Sequence, residues 1–148
     1  MKMKIRIFID KKYTRPEIVI CASEENERIL ELKDLISRTV NGEMTCYTEY
    51  GAEVLPLSEI VSFYSEKQKV YARTETDTYT VKMRLYELEE ALMDHPFLRI
   101  SNSEIVNIRK IMRLDTDLTG TIRMHLKGNI TTYVSRRYVP KIKKALGI

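Results

Sequence analysis

From residue 44 onward the sequence is built of short apolar and β-branched runs, and this texture restricts the fold more than any other property of the chain. The runs fall at 44–50, 53–57, 59–64, 69–74 and 78–81, with turn formers at Gly51 and at Thr76-Asp77. Stretches this short, punctuated about every eight to twelve residues, bury an apolar face by pairing side by side as antiparallel strands. One amphipathic helix interrupts them, with Leu85, Leu88 and Leu92 on one face and His95-Pro96 at its end. Strands are expected again at 97–100, 111–114, 121–127 and 130–135, the last two joined by Gly128-Asn129, a two-residue turn able to hold positive φ. Residues 135–147 then read as a short helix, with Ser135 as N-cap, Arg136 and Arg137 in the first turn, Pro140 early enough to be tolerated and Gly147 as the stop. The expected fold is mainly β with few short helices, α+β overall, a stack of small antiparallel sheets.

Residues 1–42 have a different pattern, read as a β-β-α extension. Residues 4–9 (Lys-Ile-Arg-Ile-Phe-Ile) alternate with period two, 17–22 form a β-branched run, and Thr14-Arg15-Pro16 separates them. Ser23 followed by Glu24 and Glu25 predicts a helix start, and Ile29, Leu32, Leu35, Ile36 and Val40 recur at helical spacing until Asn41-Gly42. Two roles stay open for this extension: strands that extend a sheet with a helix covering an apolar face, or an element that forms a homodimer or receives a signal. The expected organisation is 1–42 as extension and 43–148 as the main domain.

Several function classes are excluded by composition. A chain of 148 residues is normally one domain, or one with an appended subdomain. Its longest run without a charged residue is the eight residues 128–135, far short of the ~20 apolar residues of a membrane helix. The basic N-terminus is followed by no apolar signal region, so a cytoplasmic location is expected. Cys21 and Cys46 have neither CxxC spacing nor a paired histidine, which argues against a disulfide framework and a zinc site. No glycine-rich phosphate loop, GxSxG or HExxH is present, and Glu87, Glu89 and Glu90 belong to a helix surface. His95 and His125 stand alone and are read as structural; a hydrolytic role would need one of them beside an acid. The expectation is therefore a protein that is not an enzyme, with no catalytic residue, cofactor, metal or small-molecule substrate.

Charge is informative only once it is divided along the chain. The net charge is +4, but residues 97–148 hold eleven Lys and Arg against three acids, a net +8, which leaves −4 on residues 1–96. A basic half on a mildly acidic scaffold is a footprint for a polyanion or a merely solvated surface. The basic half also carries small hydrogen-bonding groups. Ser101-Asn102-Ser103 lies between apolar anchors Phe97, Ile100, Ile105 and Val106. Asn can pair with adenine N6/N7, Arg with guanine O6/N7, and Ser or Lys with phosphates. The plainer alternative is a turn in which Ser101 or Ser103 caps a short helical segment closed by Asn107. Ser135-Arg136-Arg137 likewise reads as an anion-holding helix start or as a capped surface turn.

Residues 97–111, Phe-Leu-Arg-Ile-Ser-Asn-Ser-Glu-Ile-Val-Asn-Ile-Arg-Lys-Ile, followed by a hairpin and then by 134–143, Val-Ser-Arg-Arg-Tyr-Val-Pro-Lys-Ile-Lys, resemble the LytTR DNA-binding domain of bacterial response regulators. Residues 57–64 look like that family's strand entering its first DNA-facing loop, and the similarity runs from about Thr45 to Ile148. The resemblance implies an elongated stack of small β-sheets that reads double-stranded DNA in the major groove with loops. By motif position it implies base contacts from Asn102 and Arg137. The first contact region falls at Lys67, Gln68 and Lys69, where many members have Gly-Asn-Tyr or a histidine nearby. Ser101, Ser103 and Ser135 are the expected phosphate partners within the motifs, and Arg109, Lys110, Arg136 and Lys141 on charge and position. Many members carry a receiver domain of about 120 residues, for which this chain has no room. The expected function is a transcription regulator; a protein-partner module of a signalling pathway and an RNA-binding module are the alternatives.

Overall fold

The computed structural model describes residues 2–148. It divides into two compact units, one reaching to Asp34 and one spanning Leu35–Ile148. Ten strands and three α-helices are present among the described residues: α1 (Glu27–Asn41), β1 (Glu43–Thr48), β2 (Gly51–Pro56), β3 (Ser62–Glu66), β4 (Lys69–Arg73), β5 (Thr78–Val81), α2 (Leu85–Ala91), β6 (Phe97–Ser101), β7 (Glu104–Asn107), β8 (Ile111–Thr116), β9 (Ile122–Leu126), β10 (Ile130–Val134) and α3 (Val139–Leu146). Seven strands form an antiparallel sheet in the order β2-β1-β5-β4-β3-β7-β6, and β10-β9-β8 form a second, three-stranded one. The mainly β architecture of small antiparallel sheets is therefore as the strand spacing required. No helix of the described residues is long and apolar enough to cross a membrane.

The two strands expected in the N-terminal extension are corrected: residues 2–22 contain no strand. Period-two alternation specifies a strand only where a neighbour completes the ladder. Here Ile5, Ile7 and Ile9 are 94%, 84% and 90% exposed, and no strand of the described residues pairs with them. A turn at Asp10, whose carboxylate accepts from Lys12 N at 2.9 Å and whose carbonyl accepts from Tyr13 N at 3.2 Å, is the ordered feature there. The helix follows, but its cap is Asn26 rather than Ser23. Asn26 Oδ1 accepts from Ile29 N at 3.0 Å, satisfying one of the amides that a helix start leaves unpaired.

Two apolar cores hold the Leu35–Ile148 unit together. One gathers Met44, Cys46, Phe63, Ala72, Leu85, Leu88, Phe97 and Ile105 beneath α2. The other lies between Val61 just before β3, Ile100 and Val106 of the large sheet, Ile122, Met124 and Leu126 of the small one, and Ile142 of α3. Each Val, Leu, Ile, Phe or Met side chain among them, fully buried, stabilises the fold by about 1.5–3 kcal/mol relative to exposure. Burial also holds the Cys46 thiol up, to about 11 with a further push from Glu53, so it stays protonated in the core.

Strand β7 divides the two cores and was not legible as a strand. Its four residues are all buried, Ile105 facing the first core and Val106 the second. Two apolar residues between serines and an asparagine look like a turn; buried on both faces, they pair with β3 and β6 in the sheet interior. Asn107 is buried but satisfied, its amide donating to Ile60 O at 2.9 Å and its oxygen accepting from Arg109 N at 3.0 Å. Gly128 and Asn129 adopt φ of +87° and +58°, the two-residue turn expected between β9 and β10.

The small sheet carries an ion cluster centred on Asp115. His125 Nε2 donates to Asp115 Oδ2 at 2.7 Å, Arg123 Nη2 reaches the same oxygen at 3.0 Å, and Arg113 Nε lies 3.1 Å from Oδ1. The His125 hydrogen bond first, then Arg123, lower the Asp115 carboxyl to about 2. A depressed folded-state value means the contribution is complete above the ordinary carboxylate value and is lost as pH falls through about 2. Asp115→Asn is therefore expected to melt below the wild type near neutrality, with the gap narrowing between about pH 4 and pH 2. Melting curves against pH check this; a gap that stays constant through that window would refute the linkage.

Candidate nucleic-acid interface

The three regions singled out in the sequence meet at one end of the large sheet. Strand β3 ends at Glu66 and β7 begins at Glu104, and Tyr64 is paired with Glu104 across them. Just beyond that pair, Ser65 N donates to Ser103 O at 2.9 Å, so the β3–β4 turn and the β6–β7 turn are neighbours. Ser135 N donates to Ile100 O at 2.9 Å, which brings the segment after β10 against the end of β6. Lys67, Gln68, Asn102, Ser103, Ser135, Arg136 and Arg137 are all exposed there, with Lys69 exposed at the start of β4 and Ser101 half-buried.

The β3–β4 turn holds both its central residues at positive φ, Lys67 at +50° and Gln68 at +66°. Such a two-residue turn matches the twist of the flanking strands, but Asn and Gly are the residues that enter it readily. Gln68→Gly is expected to stabilise the fold by about 1 kcal/mol while removing a side chain from the interface. A higher melting temperature with weaker specific duplex binding is the expected pair of results; lost stability would show that the turn is not strained.

The β6–β7 turn is fixed by Arg99, a residue that no motif or charge pattern singles out. Arg99 Nη2 donates to Asn102 O at 2.7 Å and its Nε to Ser101 O at 3.0 Å, while Nη1 lies 3.6 Å from Glu89 of α2. Ser101 Oγ accepts from Ser103 N at 3.2 Å, tightening the same turn. The capped-helix alternative for 101–107 is thereby replaced by a hairpin with a register shift between Arg99 and Ser101.

Below the turn, Glu104 joins the two sheets. Its Oε2 accepts from Arg73 Nη2 at 2.8 Å and its Oε1 from the Thr132 hydroxyl of β10. Arg73 also donates to Ser62 Oγ at 3.1 Å and lies 4.7 Å from the Tyr64 ring centroid. The acid that follows the Asn102-Ser103 turn is thus buried and compensated, while Glu66 beside Lys67 stays exposed.

The last segment differs in detail from the expected single helix. Arg136–Tyr138 form a 3-10 turn, and α3 starts only at Val139, with Pro140 in its first turn and Gly147 at φ +70° closing it. Ser135 makes no side-chain cap; its carbonyl accepts from Tyr138 N at 2.8 Å instead. Ile142 anchors α3 in the second core, and Lys141 faces outward beside it. Arg109 and Lys110 are not brought to this end. They lie beyond the opposite end of β7, about 10 Å away by strand rise, and Lys110 Nζ sits 3.4 Å from Glu75.

The pairing that a hydrolytic role requires is partly present, since His125 does lie against Asp115. That carboxylate is shared with two guanidiniums, and the cluster stands on β8 and β9 of the small sheet. Among the described residues no group of three or more His, Cys, Asp or Glu could hold a metal ion.

Comparison with known proteins bears on the same region. The sequence pattern of the LytTr DNA-binding domain matches residues 50–147. Uncharacterized HTH-type transcriptional regulators of Staphylococcus aureus strains MSSA476 and NCTC 8325 are each 36% identical over 151 residues, covering 99% of this chain and 99% of the relative. The solved LytTr DNA-binding domain of a Bacillus cereus response regulator superposes with a TM-score of 0.69 at 28% identity, covering 72% of this chain and 98% of that one.

Proposed function

The chain belongs to the LytTR DNA-binding family and is a DNA-binding transcriptional regulator, and from that premise we propose that it reads its duplex site in the major groove with the turns at one end of the large sheet. The observation that carries this reading is the convergence of Lys67-Gln68, Asn102 and Arg137, three segments far apart in sequence, at neighbouring exposed tips. Turns on a rigid sheet suit base readout because the scaffold fixes their side chains before DNA arrives. No two α-helices are consecutive among the described residues, so loop readout also suits the element order better than a helix pair does. Asn102 and Arg137 are the base readers, with Lys67, Gln68 and Lys69 as the third contact. Ser101, Ser103, Ser135, Arg136 and Lys141 are phosphate partners; Arg109 and Lys110 are more remote candidates on charge alone.

We assign residues 43–148 to DNA binding and residues 1–42 to an accessory role. The unpaired, β-prone run with Ile5, Ile7 and Ile9 exposed supports a contact between two copies of the chain. A cytoplasmic site of action follows from the function. Selection of bound duplexes from a random pool tests these assignments together: enrichment of a pair of spaced half-sites is the expected outcome, and an unenriched pool would refute duplex readout. Lys141→Ala is expected to weaken binding to all duplexes alike and to flatten the salt dependence by about one counterion; a loss confined to one sequence would move it among the base readers.

A further inference from the structure

Tyr138 stands between the two proposed base readers and touches both. Its hydroxyl donates to Asn102 Oδ1 at 3.3 Å, across a sequence separation of 36 residues. Its ring has the Arg137 guanidinium 5.6 Å from the centroid. The ring is half-buried and packed against the second core, and its backbone amide is tied to Ser135 O at 2.8 Å, so the hydroxyl is held in place rather than free to wander. On the other side, Arg99 clamps the Asn102 carbonyl at 2.7 Å, so the residue that receives the hydroxyl is fixed as well.

The consequence concerns which face of the Asn102 amide meets DNA. A free asparagine presents one acceptor and two donors, and pairs with adenine by accepting from N6 while donating to N7. With Oδ1 engaged by the Tyr138 hydroxyl, Nδ2 is the end of the amide that offers its two donors to a base. We propose that Tyr138 is a positioning residue that makes Asn102 a donor-only reader, favouring a base edge with acceptors alone, guanine N7 and O6, over adenine. This rests on the assignment of Asn102 as a base reader. Tyr138 would thus act on specificity through Asn102, without itself touching a base, while its ring supports Arg137.

The test separates the hydroxyl from the ring. Tyr138→Phe keeps the ring beneath Arg137 and removes only the donor; Tyr138→Leu removes both. Base preference is read on the full chain, one position at a time, with the selected duplex and its single-base variants at fixed salt. For Tyr138→Phe the expected result is a shift of about five- to tenfold from guanine toward adenine at the base pair lost on Asn102→Ala. Preference at the Arg137 base pair and the melting temperature should stay unchanged. Tyr138→Leu should in addition weaken recognition at the Arg137 position. If Asn102→Ala lowers specific binding but Tyr138→Phe leaves that base preference as in wild type, the positioning role is overturned and the reader assignment survives. If Asn102→Ala changes nothing, both fall.

Discussion

Arg137→Ala is expected to lose about 1–3 kcal/mol of specific duplex binding, and Asn102→Ala a loss in the same range, with the fold intact in both. The expectation follows from where these side chains stand. Both are exposed at turns whose backbones are fixed by other residues: Asn102 by Arg99, and Arg137 by the 3-10 turn closed from Ser135 to Tyr138. Truncating an exposed side chain at a rigid turn removes its contacts with DNA and little else, so melting temperatures should match the wild type. The losses should be large on the selected site and small on unrelated duplex, because a base contact contributes to discrimination where a phosphate contact contributes to every sequence. Gel-shift titrations at fixed salt decide the matter. Equal affinity of wild type and both variants for the selected site would remove the base-reading assignment.

Glu104→Ala is expected to affect stability most. Removing one partner of a fully buried ion pair costs about 3–5 kcal/mol because the other charge is stranded. Arg73 keeps 27% of its side chain in contact with solvent, which places the cost nearer 2–3 kcal/mol. The Thr132 hydroxyl loses its acceptor at the same time, and with it the polar link between the large and small sheets. Because β7 begins at Glu104, directly after the Asn102-Ser103 turn, DNA binding should fall as well, and Thr132→Val should reproduce part of both losses. Chemical denaturation measures the first effect and titration with the selected duplex the second. A Glu104→Ala protein as stable as wild type would mean that Arg73 simply rotates into water and that Glu104 contributes little to joining the two sheets.

The parts of this protein that were legible in the sequence are those where a local pattern carries its own physical cause. Strand β5 at Thr78–Val81 and the Gly128-Asn129 turn appear as expected, because alternation and positive-φ tolerance act over a few residues. The LytTR motifs were readable for a similar reason, since Asn102 and Arg137 lie in runs of distinctive residues. Where a pattern needs a partner, the local sequence misleads. Residues 4–9 alternate as a strand does, yet no strand among the described residues pairs with them; Ile105-Val106 reads as part of a turn, yet neighbours on both sides make it a strand.

The site divides along the same line. Sequence determined the donor-rich segments, the basic half at +8 and the element types that carry them. Tertiary structure alone decided that Asn102 and Tyr138, 36 residues apart, share a hydrogen bond, that Arg99 clamps the turn, and that Glu104 is spent on Arg73 and Thr132 rather than facing DNA. It likewise put Arg109 and Lys110 beyond the far end of β7, although they belong to the same sequence motif as Asn102. The reason is geometric: a strand carries the chain about 3.3 Å per residue away from its turn, so closeness in sequence is lost along β7. Sheet pairing then returns segments from distant parts of the chain to a common end.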